Sequence, residues 1–244
     1  MRYLLRSALF AAFLACSASN SFAAFGKIDF DANAVHVGSP SFSYAGGASP
    51  LVGTSISLDT VTGIGTLLNA SVGRTLFDTT GSLIHDAQLN FTTGNATGTS
   101  GGTTFFGAGG SITITGSVDL NNNNVIDAGD IINQVLATGT MSASSVVTTS
   151  GTFRLFVGGS QASLNSQLLA FYGYTGPQVA PFVGSLNLNF SVPTGTLAGQ
   201  AFNSTSVLSG DIAYTVPEPS TMILTSIAAA GGVLAVWRSR RKSS

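Results

Sequence analysis

The chain is short of almost everything that reactive chemistry uses. Of its 244 residues one is Cys, one is Trp and two are His, and only 8% are charged. The single cysteine, Cys16, lies in an N-terminal apolar run. A mature chain that has lost this run holds no thiol, which excludes disulfides, zinc-thiolate sites and Cys nucleophiles together. Glu218 is the only glutamate, and the two histidines, His36 and His85, lie in or beside alternating segments where a lone imidazole is usually structural, so acid–base catalysis has few groups to use. Between Ala24 and Val216 three basic residues, Lys27, Arg74 and Arg154, stand against nine aspartates, a net charge of −6. Without a stripe of Lys and Arg to neutralise phosphates, nucleic acid is not an expected partner. Scarce charge would suit disorder if aliphatic and aromatic residues were scarce too, but Phe, Ile, Leu and Val recur throughout.

What is present is period two. Ile28/Phe30/Ala32, Val35/Val37, Ile56/Leu58, Ala87/Leu89/Phe91, Ile112/Ile114, Phe153/Leu155/Val157, Leu186/Leu188/Phe190/Val192 and Ile212/Tyr214/Val216 alternate with polar residues. Alternation of this kind marks strands with one wet face. The stretches "AGGASP", "TTGNATGTSGG" and "SVPTGTLAG" read as turns between them. Short helices are expected only near Leu67–Leu76 and Leu164–Tyr172. The fold expected over residues 24–215 is all-β, an antiparallel β-sandwich or jelly-roll-like body, because many short half-wet strands need two packed faces. "LNFTTG" at Leu89 and "LNFSVPTG" at Leu188 are each followed by a Gly/Thr loop containing Phe and then a strand, a faint internal echo.

The two ends read as addresses. Arg2 and Arg6 precede an apolar run from Ala8 to Ala15, and Ser21-Phe22-Ala23 closes a secretory signal peptide over residues 1–23. A lipidated Cys16 is the weaker reading, since Phe13-Leu14-Ala15 fits a lipoprotein box poorly. At the other end Thr221 to Trp237 is free of charge, and at about 1.5 Å per residue a helix of this length reaches roughly 25 Å, enough for a thin bilayer core. Trp237 stands at the interfacial position, and Arg238, Arg240, Arg241 and Lys242 form a stop-transfer signal that keeps the C-terminus inside. Just before this single transmembrane helix, Pro217 and Pro219 flank Glu218 and hold the segment extended and short of amide donors, open to a protease.

Pro-Glu-Pro, an apolar span and an Arg-rich end, in this order over residues 216–243, resemble the C-terminal sorting signal of PEP-CTERM proteins. The resemblance implies an exosortase as partner, a membrane-embedded Cys protease-transpeptidase that removes the anchor. It further implies an exported protein, held first in the inner membrane and then at the cell surface or in the extracellular matrix, associated with exopolysaccharide or another surface glycan.

One internal stretch has ligand-like order. In "DLNNNNVIDAGD" the side-chain oxygens of Asp119, Asn121, Asn123, Asp127 and Asp130 fall at positions 1, 3, 5, 9 and 12 of a twelve-residue loop, with the Val125 carbonyl at position 7. This resembles EF-hand and dockerin loops and implies Ca²⁺ as cofactor. Asn124 replaces the usual turn glycine and Asp130 the usual Glu. Three carboxylates imply an affinity of the order of 10⁻⁴ to 10⁻³ M. The preceding segment reads as strand, so the loop is expected between strands, with Ile126 pinning it to the core.

Enzymatic readings are thinner. "GTSGG" at Gly98–Gly102 matches G-x-S-x-G but without the strand-turn-helix context of a nucleophile elbow. Asp29 and Asp31, two residues apart, share a strand face rather than flanking a cleft. A non-enzymatic surface or matrix protein is therefore expected. The rival is a carbohydrate-binding adhesin, for which Phe171, Tyr172 and Tyr174 are the aromatic candidates, although core packing is the commoner role of such residues, with a secreted hydrolase behind it.

Overall fold

The computed structural model describes residues 26–33, 40–77, 87–149, 151–174 and 182–216. Gly26–Val216 forms one compact unit. Every strand pairing described is antiparallel, and they join fifteen strands into one hydrogen-bonded network. Eight strands close a ring, in the order β9 (Ser111–Val118), β5 (Gly73–Phe77), β4 (Thr60–Ile64), β1 (Gly26–Asn33), β15 (Val207–Val216), β13 (Phe182–Ser191), β12 (Thr152–Leu164) and β10 (Ile131–Thr140). The last of these returns to β9, because β10 pairs with both β12 and β9. Two arms leave the ring. From β9 run β6 (Ala87–Thr92), β3 (Leu51–Leu58), β2 (Ser41–Tyr44) and β14 (Phe202–Ser204); from β12 run β11 (Ser144–Thr149), β8 (Thr103–Phe106) and β7 (Ala96–Ser100).

The arm that ends in β14 packs through aromatic rings against ring strands β12 and β13 and against the other arm. Phe42 of β2 stacks on Phe190 of β13 at 4.2 Å between centroids, Phe153 of β12 meets Phe202 of β14 edge-on at 4.9 Å, and Tyr44 meets Phe106 at 5.6 Å. Each buried side chain of this size contributes about 1.5–3 kcal/mol by leaving water. The alternating residues that fall on described strands, from Ile28 and Phe30 to Ile212 and Tyr214, form the core. The two strands of each echo pair in the same way, β6 with β9 and β13 with β15, while the strands between them in sequence go to the ends of the two arms.

One helix, α1 (Ser166–Phe171), lies within the stretch expected at Leu164–Tyr172. Asn165 starts it, its side-chain oxygen accepting from Gln167 N and Leu168 N. The helix expected at Leu67–Leu76 does not form. Gly65, Asn69 and Ser71 take positive φ of 63°, 50° and 61°, and the chain turns back so that Gly73 and Arg74 pair with β4 as β5. The stretch "TTGNATGTSGG" is not all turn, since it contains β7, hairpinned to β8 through Gly101 and Gly102. Among the described residues no helix is long and apolar enough to cross a membrane. The signal peptide over 1–23, the span 221–237, His36, His85, Pro217, Glu218, Pro219, Arg238, Arg240, Arg241 and Lys242 lie outside the described residues.

Candidate functional site

The Asn-rich loop connects β9 to β10 and therefore lies between strands, as expected. Asp119 and Asp130, both buried, give it its shape. Asp119 Oδ1 accepts from Asn122 N at 2.6 Å and its Oδ2 from Asn124 N at 2.7 Å, wrapping five residues around one carboxylate. Asp130 closes the other side, accepting from Leu120 N through Oδ1 and from Asp127 N through Oδ2, each at 2.9 Å. Asn122 and Asn124 sit at φ 61° and 62°. Asparagine is one of the few residues that takes this left-handed region at modest cost, which is why Asn124 can replace a turn glycine.

Three of the six proposed ligands converge on one point. The side-chain amides of Asn123 and Asn121 donate to Asp127 Oδ2 and Oδ1 at 2.9 and 3.3 Å. Their oxygens accept instead from backbone, Asn121 Oδ1 from Asn123 N and Asn123 Oδ1 from Val125 N. Two amide N–H groups thus face the carboxylate where a cation would. Among the described residues no three His, Cys, Asp or Glu side chains converge as a metal cage. A calcium ion would need both amides to turn their oxygens toward Asp127, while the Asp119 and Asp130 oxygens, each already accepting a backbone N–H, offer their remaining lone pairs.

Ile126 is only half-buried and does not pin the loop. Leu120 packs against the core instead, and Arg74 Nε donates to its carbonyl at 2.8 Å. Neither was visible as a loop anchor in the sequence, because Arg74 is 46 residues away from Leu120 along the chain.

The aromatic candidates are mostly core. Tyr172 is fully buried and Tyr174 3% exposed, and only Phe171 keeps contact with solvent, its ring half-covered and capped by Arg74 at 4.9 Å. Tyr172 fits because Gly63 lies under its ring; a Cβ there would come within 2.3 Å of it. Its hydroxyl is satisfied by the carbonyls of Val61 and Val72 at 3.1 and 3.0 Å, and burial pushes the phenol up to about 12. Core packing, the commoner role of such residues, thus accounts for Tyr172 and Tyr174, and the three form no exposed stacking patch.

Asp29 and Asp31 share the outer face of β1, as the spacing requires, and Asp31 lies directly opposite Asp211 of β15. Asp29 has its pKa raised, an effect the sequence did not signal. Its desolvation outweighs the bond it accepts from Lys27 Nζ at 2.8 Å. Asp31 Oδ2 accepts from Thr60 Oγ1. Ser100 ends β7 opposite Thr103 in a hairpin and has no nucleophile-elbow geometry. A shallow groove of about 540 Å³ runs beside Tyr44 and is lined by neutral residues such as Ser43, Ser49 and Asn203.

With this geometry set out, the body is an antiparallel β unit whose last strand, β15, ends at Val216. The PEP-CTERM protein-sorting motif matches residues 215–242, beginning within the last two residues of that strand. No curated protein and no solved structure matches the chain. The chain carries a PEP-CTERM protein-sorting motif over residues 215–242, which supports exosortase-dependent sorting to the cell envelope.

Proposed function

We propose that this chain is a non-enzymatic structural protein of the cell surface or extracellular matrix, associated with exopolysaccharide, whose β body is delivered by exosortase cleavage at Pro217–Pro219. The observation that carries the reading is the junction at Val216: the sorting motif starts where the folded body stops, so cleavage there removes no core residue. The scarcity of His and Glu supports a non-enzymatic role. Residues 221–237 act as a transient anchor and Arg238, Arg240, Arg241 and Lys242 as its stop. Mass spectrometry of the protein from an exosortase-bearing host is expected to show a start near Ala24 and an end close to Pro217-Glu218-Pro219. A tail intact to Ser244 in such cells refutes the sorting reading; in a host lacking the enzyme the tail is retained and the protein stays in the inner membrane.

A second reading is favoured by the convergence of Asn121 and Asn123 on Asp127. Here the Asn-rich loop binds Ca²⁺ through Asp119, Asn121, Asn123, Asp127, Asp130 and the Val125 carbonyl, and the ion stiffens the end of the body from which β10 departs.

A further inference from the structure

The end of the ring at which β15 finishes is unusually apolar. Lys27, the second residue of β1, pairs with Ile64, the last of β4, and with Thr215, which in turn pairs with Val183, the second residue of β13. The loop after Ile64 carries Leu67 and Leu68. The Asn-rich loop opens at the same end, since Leu76 of β5 pairs with Val118 of β9 while Gly73 of β5 pairs with Thr62 of β4. It carries Val125 and leads into Ile132. Of eleven large apolar side chains exposed among the described residues, six stand on this rim: Ile64, Leu67, Leu68, Val125, Ile132 and Val183. Leu67 and Leu68 are 55% and 58% exposed although adjacent in sequence, held out by the bond from Leu68 N to Tyr172 O. Each charged group of this end is hydrogen-bonded or buried. Lys27 bonds Asp29, Arg74 bonds the Leu120 and Gly73 carbonyls, Asp127 accepts two amides, and Asp119 and Asp130 are buried.

We infer that this rim is a lipid-contacting surface that rests in the headgroup layer of a phospholipid bilayer while the sorting segment is uncleaved. The inference rests on the anchor reading above. Only Pro217, Glu218, Pro219 and Ser220 separate Val216 from the apolar span. Fully extended, five Cα steps cover about 17 Å. The headgroup layer itself takes up about 5–8 Å of that length. The end bearing Val216 is therefore confined close to the bilayer, and side chains there are exposed to lipid whether or not they suit it. Six aliphatic residues whose charged neighbours are hydrogen-bonded or buried suit insertion to the depth of about 5–10 Å that apolar interfacial faces reach. Such a seat holds the Pro-Glu-Pro segment at the membrane surface, where a membrane-embedded protease works. Cleavage leaves the rim bound only by its own weak lipid affinity, and the body departs.

The test uses the exported, tail-bearing chain from a host without exosortase, in a C16S background, reconstituted into phosphatidylcholine vesicles with and without brominated acyl chains. An environment-sensitive label is placed at L67C, L68C or V125C, with L197C and F105C as controls, which are exposed on other parts of the body. Quenching severalfold stronger at the three rim sites than at the controls is expected. Trp237, the only tryptophan, reports the anchor in the same sample. Quenched Trp237 with equal labels at rim and control overturns the rim inference and leaves the anchor standing. Unquenched Trp237 overturns both. Rim protection that appears only when an exosortase is co-reconstituted assigns the rim to that enzyme and overturns the lipid assignment.

Discussion

Two buried tyrosines should respond in opposite directions to loss of their hydroxyls. Tyr172 and Tyr214 are both fully buried, each with a ring lying against a strand glycine, Gly63 and Gly184. Tyr172 Oη donates to the Val61 and Val72 carbonyls, whereas Tyr214 Oη has no hydrogen-bond partner among the described residues. Tyr172→Phe removes a net contribution of about 0.5–1.5 kcal/mol, and Tyr214→Phe removes an unsatisfied group whose desolvation costs about 1–3 kcal/mol. At about 2–4 °C per kcal/mol for a body of this size, the first should lower Tm by a few degrees and the second raise it or leave it unchanged. Alkali adds a second readout. Burial raises Tyr172 from 10.0 to about 12 and raises Tyr214 as well. Above pH 10 the unfolded chain has lost phenol protons that the folded one keeps, so stability falls with pH, by about 1.4 kcal/mol per unit for each tyrosine. Tyr214→Phe should therefore shallow the alkaline limb. Urea unfolding of the processed protein at pH 7 and between pH 9 and 11 measures both. A Tyr214→Phe variant as destabilised as Tyr172→Phe refutes the argument and means that the Tyr214 hydroxyl is satisfied in solution.

Asp29 offers a test at acid pH. Its folded pKa is raised above 3.8, first by desolvation, so the folded chain holds the proton longer and stability falls as pH rises through the window above 3.8. Asp29→Asn should lose that slope and be no less stable than the wild type at pH 7; a loss that grows from pH 4 to 7 would mean the Lys27 bond outweighs burial. For calcium, a free concentration about 100 times Kd adds roughly 2.7 kcal/mol to the folded state. Melting should rise by about 5–10 °C at that concentration, which is about 10–100 mM Ca²⁺ for an affinity of the order of 10⁻⁴ to 10⁻³ M. Asp127→Ala should abolish the rise while Asp119, which shapes the loop, is left in place. Equal melting with and without the ion makes the loop a self-contained polar turn.

The strands that alternation revealed are the ones that carry core side chains on every second residue. β12 and β13 pair over ten positions, and their Phe153, Leu155, Leu186 and Leu188 leave a periodic trace because each must point inward. The edge strands leave none. Ala96–Ser100 is almost wholly exposed and holds its place through backbone bonds to β8, an interaction indifferent to side-chain identity. The same blindness left open whether Tyr172 and Tyr174 face solvent or core. A sequence shows aromatic residues clustered after a helix, but only the fold brings Gly63, 109 positions earlier, beneath the Tyr172 ring. The Asn-rich loop was legible in its order of oxygens because that order is local. Which end of each amide faces Asp127 depends on the backbone N–H groups nearby, and no sequence spacing records it.

Ring closure was the least legible feature, because the strand that closes the ring breaks its own period. β10 alone joins β9 to β12, yet its burial does not keep alternating through its first five residues. Two register shifts against β9 and a left-handed Asn133 at φ 47° break the period. Bulges bend a strand and increase its twist, which a strand crossing between two sheet arms needs. Ile132 itself follows ordinary alternation, outward beside the buried Ile131, and the period breaks only from Asn133 on, so that Leu136 and Ala137 are both buried.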